Sequence, residues 1–269
     1  ESPTLKFTAP ELPLRRFLER KRVYYPGVEL IVDAELSVET DPYLNDHILQ
    51  KQRLFPAVLG LEAMAETAMA LTGSTVPPSF EQVQFTRPVV VSDKGSTTIR
   101  LAALRRGANV VEVCLRSEEN DYHVDHFRAL CRFGVAESST SRLTLVPSGS
   151  DHLALEPQKD LYGRILFHQG RFCRLRGYRL LKAKECIAEI TPDDGAPWFG
   201  PYLPADFVLG DPAARDAALH AIQACIPHQR ILPTGMDELI VRRGDSGARF
   251  VRARERQREG HNFIYDVEI

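Results

Sequence analysis

The polarity of the chain changes between runs with a period of two and segments with helical spacing. Residues 28–38 alternate apolar and polar side chains, as a half-buried strand does. From Ala57 to Leu71 the apolar residues recur at helical spacing, and Gly73 follows as a C-cap residue. This first half therefore predicts one strand, one helix and then four strand-like runs, at 79–91, 96–105, 109–117 and 121–133.

The second half repeats this order. Residues 141–157 are rich in Ser, Thr and Pro, which favours a linker between an N-terminal subdomain at 1–140 and a C-terminal one at 158–269. A second helix is predicted over 212–226, with Asp211 as N-cap and Pro212 at the first helical position. The remaining predicted strands are 176–181, 185–190, 238–243, 250–254 and 263–267.

One helix per half beside a long antiparallel sheet is the layout of a hot-dog fold. The pattern therefore predicts an α+β protein with a double hot-dog architecture, in which two hot-dog subdomains are fused in one chain. The strands and helices do not alternate as in βαβ units, and the sequence has no glycine-rich phosphate loop. These two absences exclude a dinucleotide-binding Rossmann domain.

Composition narrows the function classes. The chain has 269 residues, a net charge of -2, 43% hydrophobic and 26% charged residues, as an ordinary globular protein has. This charge gives no basis for binding nucleic acid or an anionic membrane. The five cysteines include no CxxC pair, so we expect reduced thiols in a cytoplasmic protein. Because the sequence begins Glu1-Ser-Pro-Thr without Met, we interpret it as a piece of a larger protein.

Two distant segments carry candidate acid/base groups. His47 lies just ahead of the first predicted helix, and Asp216 lies on the second with His220 one turn further on. An imidazole and a carboxylate from opposite halves suit proton abstraction at one carbon and proton donation to a leaving group at the next. We expect burial among Ala and Leu residues to raise the pKa of Asp216, as an acid requires. This combination points to a dehydratase.

The same residues also have simpler interpretations. His47 on its own is equally consistent with a hydrogen-bonded loop histidine, and Asp216, His220 and Gln223 with a solvent-facing polar stripe. His123 and His126 would face opposite sides of a strand, so we predict no metal site there. The aromatic loop at Trp198 is expected either to line a substrate entrance or only to pack.

Four motifs in register resemble the dehydratase domains of polyketide and fatty acid synthases. His47 and Pro56 are similar to the family's His-x-x-x-Gly-x-x-x-x-Pro motif, and Asp216-Ala-Ala-Leu-His220 to its Asp-x-x-x-Gln/His motif. Leu232-Pro233 resembles its Leu-Pro element and 166–172 its Tyr-Gly-Pro-x-Phe region. Segments 24–33 and 55–65 look most like iterative enediyne-type synthases. The chain departs from the motifs at Lys51, where the family has Gly, and at His168-Gln169-Gly170 in place of Tyr-Gly-Pro.

This resemblance implies dehydration of a (3R)-hydroxyacyl thioester to a trans-2-enoyl thioester. His47 would be the base and Asp216 the acid, with His220 and Gln223 in support. The backbone N–H groups of Ala57 and Val58, at a helix N-terminus, would stabilise the enolate-like oxygen. A substrate tunnel between the halves would be lined by Pro56, Gly60, Phe167, Phe172, Leu232 and Pro233.

The resemblance also implies binding partners, and it leaves two alternative functions open. The domain would need no metal or other cofactor of its own, since the substrate is carried on the phosphopantetheine of an acyl carrier protein. We expect that carrier, other domains of the same synthase and a second copy in a homodimer as partners. The alternatives are that the chain is a product-template or cyclase domain of the same fold, or that it is a non-catalytic dimerisation scaffold. A hot-dog thioesterase is disfavoured because Glu62 and Glu66 lie far along their helix.

Overall fold

The computed structural model describes residues 11–134, 154–241 and 250–269, which form antiparallel sheets around helices. In this part of the chain the helices are α1 (Ala57–Thr72), α2 (Pro157–Asp160) and α3 (Pro212–His220), with 3-10 turns at Pro42–Asp46, Glu118–Asn120, Gly170–Phe172 and Ala221–Cys225. The strands are β1 (Arg20–Tyr25), β2 (Glu29–Leu36), β3 (Ile48–Leu49), β4 (Gln52–Leu54), β5 (Ser79–Phe85), β6 (Val90–Val91), β7 (Thr97–Gly107), β8 (Val110–Ser117), β9 (Phe127–Arg132), β10 (Leu175–Lys182), β11 (Glu185–Ile190), β12 (Gly235–Leu239), β13 (Phe250–Glu259) and β14 (Asn262–Glu268).

The strands form two main sheets and a small third one. The seven-stranded sheet has the order β1-β2-β7-β8-β9-β5-β12, and the four-stranded sheet has the order β10-β11-β13-β14. The small sheet, β3-β4-β6, lies next to the residues that will form the site. Neighbouring strands in all three sheets are antiparallel.

Helix α1 is enclosed by the seven-stranded sheet. Its Ala, Leu and Met side chains are buried on nearly every side, as expected of a helix that is apolar all round. A Cβ on Gly60 would lie 2.4 Å from the ring of Phe127 in β9, so glycine allows the helix to approach the sheet here. The helix ends at Gly73, which has a φ of 72° and donates to the carbonyl oxygen of Met69, as predicted.

Helix α3 takes the same place against the four-stranded sheet. Its alanines pack with Tyr178 and Val251 in a second core. The N-cap is Asp211, whose carboxylate accepts from the N–H groups of Ala213 and Ala214, as predicted. The helix turns 3-10 after His220, earlier than the predicted end. One helix in each antiparallel sheet confirms the α+β double hot-dog fold.

Strand β12 crosses from the second half into the first sheet. It pairs with β5 through Met236 and Val83, and a Cβ on Gly235 would lie 2.5 Å from the carbonyl oxygen of Val83. The two halves therefore share a sheet, although they are consecutive in the sequence. Most of the predicted linker and residues 242–249 of the next segment lie outside the described residues.

Other predicted boundaries shift by a few residues. The run at 121–133 is a strand only from Phe127, because Asp121 and Tyr122 adopt left-handed φ values of 52° and 61° after a 3-10 turn. The predicted strand at 238–243 begins earlier, at Gly235. None of the helices in the described ranges is both long and apolar enough to cross a membrane.

Glu62 of α1 connects the two halves beneath the site. Its carboxylate accepts from the backbone N–H groups of Val208 and, at 3.0 Å, Leu209, and it lies 3.5 Å from the guanidinium of Arg215 on α3. The carboxylate is fully buried, so these donors compensate its loss of hydration. The contacts fix α3 relative to α1.

Candidate active site

The candidate base, His47, ends the 3-10 turn at Pro42–Asp46 and precedes β3. Its Nδ1 lies 2.9 Å from the carbonyl oxygen of Leu54. Because a carbonyl oxygen only accepts, Nδ1 carries the proton and Nε2 keeps a free lone pair. Burial lowers the pKa of His47 to about 4, although the nearby Asp216 acts in the opposite direction. His47 is therefore a neutral imidazole near neutral pH and can accept a proton.

The candidate acid, Asp216, lies on α3 and faces two histidines. Its Oδ2 is 3.1 Å from Nδ1 of His220 and 3.2 Å from Nε2 of His168. Within the described ranges no hydrogen bond reaches its other oxygen, Oδ1. Both imidazoles thus lie against the same carboxylate oxygen and leave the second for another partner.

The expected rise in the pKa of Asp216 is wrong. Burial does act to raise the pKa of this carboxyl, but the imidazoles of His168 and His220 stabilise the ionised form and lower the pKa below its ordinary value. The sequence pattern showed the apolar neighbours along α3. It did not show that His168 lies against the carboxylate.

His168 is the first of two residues that sequence reasoning missed. It forms an isolated antiparallel bridge with His47, and its ring is stacked on Phe167 and His220, each at 4.2 Å between centroids. Its Nδ1 is buried and has no hydrogen-bond partner in the described structure. His168 stands at the tyrosine position of the family motif, which is the signal in the sequence for a place in the site.

Tyr162 is a second missed residue. Its hydroxyl lies 3.1 Å from Nε2 of His220, and it also accepts from the backbone N–H of Leu175 at 3.0 Å. With Nδ1 of His220 facing Asp216, the tyrosine contacts the opposite side of the same ring. Burial lowers the pKa of His220 to about 4. The series Tyr162, His220, Asp216 fixes the orientation of the carboxylate.

Gln223 does not extend this series. Its side-chain nitrogen donates to the carbonyl oxygens of Ile226 and Gln229, at 2.7 and 2.8 Å, and its oxygen accepts from the N–H of Ile231 at 3.1 Å. Its polar atoms are therefore used to hold the loop that follows the 3-10 turn. Any support that Gln223 gives to Asp216 is indirect, which corrects the expected polar stripe.

The two expected backbone donors are free. The amides of Leu59 and Gly60 donate to the carbonyl oxygen of Pro56, whereas those of Ala57 and Val58 have no acceptor in the described ranges. Free amides at a helix N-terminus can bind an anionic oxygen. Their role as an oxyanion site stays a prediction.

The predicted tunnel residues lie in different surroundings. Phe167 and Phe172 contact the ring of His47, at 4.8 and 5.3 Å between centroids, and Pro56 is buried at the start of α1. Gly60 instead faces Phe127 on the sheet, and Leu232 is 50% exposed in the loop before β12. A tunnel that includes Gly60, Leu232 and Pro233 stays a prediction.

Lys51 occupies the glycine position of the first motif, and it lies in a tight turn. Gln50 and Lys51 have φ values of 50° and 67° and form the two-residue connection between β3 and β4. Such a hairpin turn needs positive φ at both positions, and glycine is favoured at the second. Glycine would adopt this conformation without steric cost, whereas Lys51 adopts it at a cost in free energy.

The site could also hold a cation. One ligand atom from each of His47, His168 and Asp216 lies within 4.8 Å of the others, and all three residues are buried. Two imidazoles and a carboxylate suit several transition metals. His126, by contrast, is a structural residue, because its ring nitrogens contact the hydroxyl of Ser117 at 2.8 Å and the carbonyl oxygen of Pro88 at 2.9 Å.

A buried imidazole with a free nitrogen thus lies close to a carboxylate from the other half of the double hot-dog fold. Two family descriptions match the chain: "Polyketide synthase dehydratase domain" over residues 20–118 and "Polyketide synthase dehydratase N-terminal domain" over 142–269. The chain belongs to the dehydratase domains of type I polyketide synthases.

Two curated relatives are much longer proteins. A polyunsaturated fatty acid synthase polypeptide of Thraustochytrium sp. is 22% identical over 226 residues, which cover 81% of this chain and 8% of that protein. The polyketide synthase GfsA of Streptomyces halstedii is 28% identical over 216 residues, which cover 73% and 3%. Both relatives therefore place a domain of this kind within a multidomain synthase.

Solved structures share the fold. The dehydratase domain from the CurF module of the curacin polyketide synthase has a TM-score of 0.75 at 17% identity, covering 95% of this chain and 91% of that one. The dehydratase domain of PpsC from Mycobacterium tuberculosis, in complex with C12:1-CoA, has a TM-score of 0.75 at 16% identity, covering 95% and 92%. The likeness to enediyne-type synthases stays a prediction.

Proposed function

We propose that this domain removes water from a (3R)-hydroxyacyl thioester carried on an acyl carrier protein, giving a trans-2-enoyl thioester during polyketide chain extension. The observation that supports this proposal most strongly is that His47 and Asp216 lie close together. These residues come from opposite halves of the chain, and one ligand atom of each lies within 4.8 Å of the other in a buried cluster.

His47 is the base in this reaction. Its Nδ1 is held by the carbonyl oxygen of Leu54, so its Nε2 faces the substrate as a proton acceptor. A pKa of about 4 keeps the ring neutral at neutral pH but makes it a weak base. Removal of the α-proton therefore requires stabilisation of the enolate-like thioester oxygen, which the free amides of Ala57 and Val58 provide.

Asp216 delivers the second proton through Oδ1. The two imidazoles keep this carboxyl group ionised in the free site, so it must first take up a proton, and we propose that it does so when bound substrate displaces water and further disfavours the charge. That proton passes to the β-hydroxyl as its C–O bond breaks, while the electrons of the α C–H bond form the double bond. Water leaves, His47 holds the α-proton, and the proton then returns to the cluster.

The substrate and partners follow from the family. An acyl carrier protein would present the thioester on its phosphopantetheine arm, and neighbouring domains of the same synthase would supply and extend it. The domain would act in the cytoplasm, as a homodimer, without a metal or other cofactor of its own. The contacts of Glu62 and Glu66 with backbone N–H groups support a dehydratase over a thioesterase, because neither carboxylate is free to activate water.

The test is the mass of a 3-hydroxyacyl carrier protein before and after incubation with the domain. We expect the native domain to remove one water, and His47→Ala and Asp216→Asn to lower the rate by about 100- to 10,000-fold each. The exposed residues His123 and Asp237 provide matched controls, His123→Ala and Asp237→Asn, which should keep full activity.

Substrates of several chain lengths keep this test decisive. If none of them loses water, the dehydratase proposal fails, and cyclisation of a poly-β-keto substrate becomes the next reaction to assay. If the native domain is active and Asp216→Asn is equally active, the elimination does not use this carboxyl group.

A further inference from the structure

We propose that His168 is a positioning residue for Asp216: with His220 it holds Oδ2 and turns Oδ1 toward the β-hydroxyl of the substrate. The proposal rests on the proposed dehydration and assigns a part of that site that the sequence motifs leave open. The family motif has tyrosine at this position, whereas this chain has an imidazole.

The contacts of the Asp216 carboxylate support a positioning role for His168. Nδ1 of His220 and Nε2 of His168 approach the same carboxylate oxygen, at 3.1 and 3.2 Å. Since a carboxylate only accepts hydrogen bonds, either nitrogen can bond Oδ2 only if it carries the proton of its ring. Two donors on Oδ2 fix the plane of the carboxylate and leave Oδ1 without a protein partner in the described ranges.

The rings that pack against His168 restrict the orientation of its imidazole. The ring is stacked between Phe167 and His220, at interplanar angles of 26° and 27°, so it has little freedom to rotate. With the proton on Nε2, the buried Nδ1 is an acceptor without a partner. His168 is therefore placed to orient the carboxyl group of Asp216.

His168 also connects Asp216 to the base. Its backbone bridges to His47, and its ring centroid lies 5.4 Å from that of His47. One short segment thus fixes the distance between the base of the first half and the acid of the second. A displacement of about 1 Å between reacting groups can cost about 100-fold in rate, so this connection matters for catalysis.

The titratable groups that face the pair must be considered together. His47, His168 and His220 surround Asp216, and Tyr162 and Cys173 lie behind them. Of these, His168 and His220 are the two that lower the pKa of the Asp216 carboxyl. His168 and His220 therefore both stabilise the ionised form of Asp216.

The first experiment compares His168→Phe and His168→Tyr with the native domain on a 3-hydroxyacyl carrier protein. Phenylalanine keeps the stacked ring but removes the donor, and tyrosine restores a donor. We expect His168→Phe to lower kcat about 10- to 100-fold with little change in KM. His168→Tyr should recover part of kcat, and His228→Phe, at an exposed histidine, should behave as native.

A second measurement does not depend on activity. Nitrogen-15 NMR of the histidine rings should show the proton on Nε2 for His168 and on Nδ1 for His47 and His220. Asp216→Asn, which removes the carboxylate, should change the spectrum of His168 and His220 most. A proton on Nδ1 of His168 would overturn the proposal even if the domain proved to have a different reaction.

The outcomes separate the two proposals. If the native domain dehydrates its substrate and His168→Phe has the native kcat, only the role of His168 is wrong. A loss of kcat in His168→Phe that His168→Tyr does not recover at all would also refute the role of His168. If the native domain dehydrates nothing while the NMR result holds, the contact is real and the dehydration is wrong.

Discussion

The buried Glu66 should make the stability of this domain depend strongly on pH. Glu66 lies in the middle of α1, only 2% exposed, and its Oε2 accepts from the backbone N–H of Phe17 at 2.9 Å. Burial raises its pKa from 4.5 to about 8, and the nearby Glu62 acts in the same direction. The Phe17 amide and the arginines nearby compensate only part of this effect.

The direction and the magnitude of this pH dependence follow from proton linkage. Between 4.5 and about 8 the folded state keeps the Glu66 proton, whereas the unfolded state has lost it. Folding stability therefore falls as pH rises through this window, by about 1.4 kcal/mol per pH unit for one group. Over the whole window the loss is about 5 kcal/mol, a large part of the stability of a typical domain.

The perturbation is Glu66→Gln, which keeps the acceptor for Phe17 but cannot ionise. We expect this variant and the native domain to be about equally stable near pH 5, and the variant to be more stable by several kcal/mol near pH 8. Urea unfolding, followed by the fluorescence of Trp198, the single tryptophan, measures the free energy of unfolding of both proteins at each pH. Glu119→Gln, at an exposed glutamate, is the control and should follow the native curve.

The result that refutes this reasoning is a Glu66→Gln variant whose stability falls with pH as steeply as that of the native domain. In that case Glu66 is ionised in the folded state, with its charge compensated by Arg15 and Arg16. A variant destabilised equally at every pH would instead mean that the packing of the amide, and not the charge, decides the effect.

Two further predictions concern the turn after His47 and the requirement for a metal. Lys51→Gly should stabilise the domain by about 0.5–1 kcal/mol in urea unfolding and leave kcat unchanged, because glycine adopts positive φ without steric cost; a loss of activity would show that the lysine contacts the substrate or its carrier. Dialysis against EDTA should leave the dehydration rate unchanged, although His47, His168 and Asp216 could hold a cation; a rate that falls with EDTA and returns with added zinc would contradict a purely acid/base mechanism.

The local pattern of the sequence determined much of this protein. Polarity with a period of two located most strands, and apolar spacing together with Gly73 and Asp211 located both main helices and their caps. The spacing of His47 and Pro56, and of Asp216 and His220, identified the two site segments. These features depend on residues within a few positions of each other, so the sequence contains them directly.

The tertiary structure decided the contacts between residues far apart in the chain. The approach of His168 to Asp216, the lowered pKa of that carboxyl and the hydroxyl of Tyr162 behind His220 all depend on how the second half folds over itself. The crossing of β12 into the first sheet is of the same kind. Periodicity shows which face of an element is buried, but not which polar group it meets there, because the electrostatics of a buried carboxylate depend on the neighbours that folding brings to it.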